Sequence, residues 1–198
     1  SEGHPPLRKF IADRYRERHG IDIDPEEIII TNGSQQGLDL IGKTLLNEGD
    51  HIGIENPGYL GAIQAFALYK SVFHPVTLRD DGIDIDELRS TMKSWPIKVF
   101  YGVPNFQNPT GTTYSAEKRK ALGEVMAEHQ AFFIEDNPYG ELRFIGDDVP
   151  LVRRYLPEKT ILLGSFSKIA APSFRLGWIC VSRKFMDKMI IAKQASDL

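Results

Sequence analysis

Short apolar runs and amphipathic stretches alternate along the whole chain. The runs are EEIIIT, HIGIE, SVFHPV, KVFYGV, AFFIE, TILLGS and GWICVS, each of a length suited to a buried strand. Between them, QQGLDLIGKTLL, GYLGAIQAFALY, IDELRSTMK and SAEKRKALGEVMAEH carry apolar residues at helical spacing. Ahead of them all, LRKFIADRYRERHG sets Leu7, Ile11 and Tyr15 four residues apart and supplies Gly20 as a stop. Strands alternating with helices need crossover connections. The pattern therefore predicts an α/β, three-layer fold with a mainly parallel, mixed sheet of roughly seven strands, covered on both faces. Ligands in such sheets bind beyond the carboxyl ends of the strands, so chemistry is expected in the loops that follow the runs. No low-complexity linker divides the chain. The likeness of IDIDPEE (21–27) to IDIDELR (83–89) is too short for a repeat, so residues 1–198 read as one domain.

Composition narrows the function classes. With 198 residues and 41% hydrophobic content, the chain can bury a substantial core. A net charge of −3 and a pI near 6.0 make no general electrostatic case for nucleic acid as a partner of this domain. No apolar run approaches the roughly 20 residues that span a bilayer, so no membrane partner is expected. No signal-peptide pattern opens the chain, and a start at Ser1 fits a fragment or a processed product. Cys180, the single cysteine, lies in WICV and reads as a core thiol, which agrees with a reducing, cytoplasmic setting.

The loop after EEIII reads TNGSQQG and leads into a helix on which Leu38, Ile41 and Leu45 share a face. Gly33 permits a tight turn and Ser34 offers a hydroxyl. The free N–H groups of the helix start, at Gln35 among others, point where an anion would sit. An ordinary Ser or Asn helix cap explains the same residues equally well. Inside that helix GLDLIGKT matches the phosphate-loop pattern of nucleotide hydrolases, and AFFIED would serve as their acidic strand. A loop of that kind follows its strand directly, whereas TNGSQQ intervenes here and Leu38, Leu40 and Ile41 fill the segment with helix formers. The nucleotide reading stays a remote alternative.

Three more run ends carry polar groups: NPGY with Tyr59, PNFQNPTG with Asn108, and DNPYG with Asp136 and Tyr139. Each is also a plain turn signal. SFSKIAAPSFRLGW (165–178) adds Ser165, Ser167, Lys168 and Arg175. A lysine among hydroxyls with an arginine nearby is either a solvated loop or a site for a phosphorylated carbonyl compound. Together these ends supply an aromatic face, an amide, a carboxylate, a phenol, a lysine, an arginine and hydroxyls.

Taken in order, TNGSQQG, ENPGY, PNFQNPTG, EDNPYG and SFSK with an Arg seven residues on resemble the large domain of fold type I pyridoxal-phosphate enzymes, in the class I/II aminotransferases. The branch they are most similar to holds aminoadipate and kynurenine aminotransferases and the aminotransferase-like domains of MocR-type regulators. The resemblance runs from GHPPLR to GWICVS. It implies pyridoxal 5'-phosphate as cofactor, amino acid and 2-oxo acid substrates, and a homodimer in the full-length protein. Lys168 would be the Schiff-base lysine and proton shuttle, and Asp136 the partner of the pyridinium nitrogen. Asn108 and Tyr139 would hydrogen-bond the cofactor's O3′, and Tyr59 would stack on its ring. Ser34, the backbone at Gln35 beside Gly33, Ser165, Ser167 and Arg175 would hold its phosphate.

The family pattern is met over about half its length. The arginine that grips the substrate's α-carboxylate in these enzymes lies in a small domain, which this chain largely lacks. A tyrosine that reaches the neighbouring subunit's phosphate lies upstream of Ser1. The leading expectation is a transaminase. A MocR-type regulator that senses the cofactor, and a lyase or decarboxylase on the same scaffold, remain alternatives.

Overall fold

The computed structural model describes residues 2–142, 147–167 and 175–197, with Asp197 as backbone only. All seven apolar runs form strands: β1 (Ile28–Thr31), β2 (His51–Asn56), β3 (Val72–Arg79), β5 (Ile97–Gly102), β6 (Phe132–Asp136), β7 (Thr160–Ser165) and β8 (Gly177–Cys180). Their sheet has eight strands where roughly seven were expected. The extra one, β4 (Gly82–Ile83), is a two-residue pairing against Leu78 and Arg79, too short to show a period in the sequence.

The order across the sheet is β1-β8-β7-β6-β5-β2-β3-β4. Five central strands, β7, β6, β5, β2 and β3, run parallel. At one flank β8 runs antiparallel to β7, and β1 antiparallel to β8. The carboxyl ends of β1 and β7 therefore share an edge of the sheet with the start of β8. From β2 the chain moves outward to β3, then returns to place β5 on the other side of β2. That reversal opens a crevice between the ends of β2 and β5, where parallel sheets accept ligands.

The five expected helices are α1 (Pro5–His19), α2 (Ser34–Leu45), α3 (Leu60–Ala67), α4 (Ile85–Ser94) and α5 (Ala116–Ala127). A sixth, α6 (Arg183–Asp197), buries Met186 and Met189 and was not anticipated. Local chemistry sets several ends. Gly20 takes a left-handed φ of 62° and closes α1, whose last turn carries Arg16, Arg18 and His19 against the helix dipole. Asp84 and Ser115 cap α4 and α5 by accepting from Glu87 N and Lys118 N.

Alternation along the strands sorts the core into layers. Ile29, Val99, Tyr101, Ile134, Leu163 and Ile179 pack with residues of α2, α3 and α6. Phe100 and Phe133 face the opposite way, against Leu88 and Met92 of α4 and Leu122, Val125 and Met126 of α5. Leu162, Trp178 and Cys180 meet Ile11 and Tyr15 of α1, and the Trp178 indole donates to the Tyr15 hydroxyl at 2.9 Å. Cys180 is a buried free thiol. Among the described residues, no helix is long and apolar enough to cross a membrane.

Candidate functional site

A cavity of about 300 Å³ opens at the shared edge of the sheet, lined by residues from five strand ends. After β1 come Asn32, Gly33, Ser34 and Gln35, and after β2 comes Tyr59. Strand β5 and its loop give Tyr101, Val103 and Asn108, and the end of β6 gives Asp136, Pro138 and Tyr139. The β7–β8 connection gives Ser165, Ser167 and Arg175. Ten of the eleven residues singled out in the sequence thus meet around one space. The eleventh, Lys168, lies outside the described residues. Arg175 precedes a strand instead of following one, and it joins the set because β8 runs antiparallel to β7.

The turn into α2 is not the side-chain cap that one of its two sequence readings expected. Gly33 is the N-cap with a φ of 83°, and no side chain caps the helix. The Thr31 hydroxyl instead donates to Gly33 O at 2.8 Å, and Gln36 accepts from Asn32 N at 2.8 Å. With no side-chain cap, the turn keeps the anion-favouring character of a helix start. GLDLIGKT, by contrast, is helix throughout. Lys43 pairs with Asp39 at 2.7 Å and donates to Ser196 Oγ at 2.8 Å on the outer surface, far from the role of a nucleotide loop. Gly37, Leu38, Leu40, Ile41 and Gly42 are buried in the helix packing.

Each lining loop is held by contacts that the motifs do not announce. A Cβ at Gly61 would lie 2.7 Å from the Tyr59 ring, so a larger residue there would push that ring from its place over the start of α3. The Gln35 amide donates to Gly61 O at 3.1 Å and joins the α2 turn to this region. Buried Glu55 accepts from Val103 N at 2.9 Å, Tyr114 Oη at 2.5 Å and Gln107 Nε2 at 2.9 Å. Gln107 also donates to Pro57 O at 2.9 Å, which ties the loop bearing Asn108 to the loop bearing Tyr59. Both loops contain a cis Asn–Pro bond, at Asn56–Pro57 and Asn108–Pro109. Asn105 donates to Asn137 Oδ1 at 2.8 Å, and Arg14 of α1 grips Glu141 in the loop that carries Tyr139.

Asp136 is the electrostatic centre. Its side chain is buried and Oδ2 accepts from Tyr101 Oη at 2.6 Å, while Oδ1 is buried with no hydrogen-bond partner among the described residues. Burial pushes its carboxyl up to about 7, with the Glu55 charge adding to the rise and the Tyr101 hydrogen bond opposing it. Burial likewise drives the Tyr101 phenol well above its usual range, so it remains a donor. An orphaned buried carboxylate oxygen is costly, and a cationic N–H donor is the chemistry that relieves it. The sequence reading missed Tyr101 because it lies inside KVFYGV, where a strand aromatic reads as core.

The chain matches the family model for aminotransferase class I and II over residues 1–196. The chain belongs to the class I and II aminotransferases. Among curated members of this aminotransferase family, aromatic-amino-acid aminotransferase 1 of Thermococcus litoralis is 43% identical over 204 residues, covering 100% of this chain and 49% of the relative. Among solved structures, Pyrococcus horikoshii kynurenine aminotransferase superposes with a TM-score of 0.93 at 41% identity, over 100% of this chain and 50% of that one. LysN, the alpha-aminoadipate aminotransferase of Thermus thermophilus, was solved with N-(5'-phosphopyridoxyl)-L-leucine. It matches with a TM-score of 0.92 at 38% identity, over 100% of this chain and 50% of that one. A regulator matches as well: the probable rhizopine catabolism regulatory protein MocR of Rhizobium meliloti, 32% identical over 93% of this chain and 37% of its own length. The chain spans about half the length of the curated aminotransferases it matches.

Proposed function

We propose that this chain is the cofactor-binding large domain of a pyridoxal-phosphate-dependent aminotransferase that moves an amino group between an L-amino acid and a 2-oxo acid. The observation that carries the reading is Oδ1 of Asp136, without a partner among the described residues, in a cavity that also holds an uncapped helix start, three serines and an arginine. That donor and acceptor set fits a flat, cationic ring at one end and a phosphate at the other. When bound, pyridoxal phosphate supplies an electron-accepting ring for the charge left on the substrate's Cα.

The protein's own groups then have distinct tasks. Asp136 accepts from the protonated ring nitrogen and keeps it charged. Tyr59 covers one face of the ring, while Asn108 and Tyr139 hydrogen-bond its phenolic oxygen. Ser34, the N–H of Gln35 next to Gly33, Ser165, Ser167 and Arg175 hold the phosphate, with Arg175 as its fixed positive charge. Lys168 is assigned as the amine that holds the aldehyde end and carries the proton at the substrate's Cα. Substrate grip is assigned to a small domain of the full-length protein. The homodimer and the cytoplasmic setting belong to the same reading and rest on the resemblance.

Borohydride reduction of the full-length protein loaded with pyridoxal phosphate tests this directly. A phosphopyridoxyl mass is expected on the peptide that contains Lys168, and the same mass on Lys43 or another lysine overturns the assignment. Profiling of amino donors and 2-oxo acids then separates the enzyme from a second reading, a cofactor-sensing domain of a transcriptional regulator, which the match to MocR supports. Cofactor-dependent DNA binding without turnover would favour that second reading.

A further inference from the structure

The two oxygens of an aspartate are chemically equivalent, and the final torsion of the side chain is broad and roughly two-fold. Something in the fold must decide which oxygen faces a ligand and how firmly. Tyr101 pairs with Ile134 across the parallel β5–β6 ladder, so Asp136, two residues further on, projects from the same face of the sheet. A tyrosine has the reach to span that diagonal, and its hydroxyl ends 2.6 Å from Oδ2. The ring itself is fully buried and meets Phe66 of α3 edge-on, with centroids 6.2 Å apart at 73°. Among the described residues, Tyr101 is the one donor to this carboxylate, and Oδ1 is left over.

We propose, resting on the cofactor reading above, that Tyr101 is a positioning residue: its hydroxyl anchors Oδ2 and so presents Oδ1, on an immobile carboxylate, to the ring N–H of the bound cofactor. Two consequences follow from the hydrogen bond. It fixes the plane of the carboxylate, so the ring nitrogen meets an aimed acceptor. It also withdraws charge from the carboxylate, which lowers its affinity for a proton and leaves that proton on the ring. The other ionisable groups bearing on the pair are Glu55 at the end of β2 and Tyr59 after it, and neither donates a hydrogen bond to Asp136. Tyr101 touches neither substrate nor cofactor in this assignment and acts through Asp136.

The test uses the full-length protein loaded with pyridoxal phosphate carrying ¹⁵N in the ring, with nitrogen NMR as the readout. In the wild type the ring nitrogen should show the shift of a protonated pyridine. Tyr101→Phe keeps the packing and removes the donor. It should move the signal toward the unprotonated form, weaken cofactor affinity about tenfold, and lower kcat with little change in KM for the amino donor. Replacing Tyr101 with a ring-fluorinated tyrosine keeps shape and hydroxyl, strengthens the donor and should raise the pH at which the ring nitrogen gives up its proton. It decides the matter if the phenylalanine variant fails to fold. A wild-type nitrogen shift and affinity in folded Tyr101→Phe, or an unchanged pH of proton loss in the fluorinated variant, overturns the proposal. Asp136→Asn separates the two layers: if it too leaves cofactor binding and turnover intact, the cofactor reading itself fails, whereas loss in Asp136→Asn alone condemns only the role of Tyr101.

Discussion

Strands β2 and β6, on either side of β5, carry buried acids near their carboxyl ends, and the two ends solve the same problem differently. Glu55 is enclosed by its own fold, with three donors from the β5 loop and from Tyr114 sharing its two oxygens. Asp136 receives one donor from the described residues and keeps one oxygen unpaired. Burial raises both carboxyls. The hydrogen bonds from Tyr114, Val103 and Gln107 pull Glu55 back down, while Asp136 has Tyr101 alone and feels the Glu55 charge besides. Glu135, adjacent to Asp136 but on the other face of the sheet, is again satisfied, by Val152 N at 2.8 Å and Arg153 N at 3.0 Å. A satisfied buried acid ties loops together, and an unsatisfied one is held ready for a ligand at a cost in stability.

The sharpest way to break this contrast is Asp136→Asn in the full-length protein. Shape is conserved and the charge is lost, so turnover should fall by about a thousandfold or more, each ~1.4 kcal/mol of lost transition-state stabilisation being a factor of ten. Steady-state kinetics with saturating donor decide it, and near-normal turnover would reduce Asp136 to a turn residue.

The pH dependence of stability separates the two ends next. Asp136 titrates near 7 in the folded chain and near its ordinary value of 3.8 when unfolded. A raised acid binds its proton more tightly in the folded state, so its contribution is fully present below about pH 4, declines as pH rises, and is exhausted above about 7. The change amounts to at most about 4 kcal/mol. Urea titrations of the cofactor-free protein should show this decline, and Asp136→Asn should flatten it and be more stable than wild type above pH 7. Parallel curves for the two proteins would contradict the orphaned charge.

Glu55→Ala should behave in the opposite sense. It strands Val103 N, Tyr114 Oη and Gln107 Nε2 in the interior and should cost about 3 kcal/mol in urea unfolding at pH 7. A loss below about 1 kcal/mol would mean the loops hold without their acidic hub. The smallest effect is expected at Lys43, where the exposed pair with Asp39 is worth about 0.5 kcal/mol or less. Lys43→Ala should leave pyridoxal-phosphate affinity unchanged by fluorescence titration, and Arg175→Ala should weaken it at least tenfold. Tight ATP binding that requires Lys43 would reverse the assignment of GLDLIGKT.

Hydrophobic spacing was enough to place the seven long strands and five helices, because apolar periodicity and stop signals such as Gly20 act within a few residues. The polar groups at the strand ends were legible for the same reason, since Asn-Pro and Gly-rich turns interrupt the apolar runs. Helix α6 went unread although Met186 and Met189 stand three apart, and β4 was too short to leave a trace. Strand order, the antiparallel entry of β8 that delivers Arg175, the tie from Gln107 to Pro57, and the donor that Tyr101 offers Asp136 all depend on residues well separated in the chain. Local chemistry determines which residues stand at a strand end. Pairing and register, settled by packing across the whole sheet, decide which of those ends meet and which buried oxygen is left without a partner.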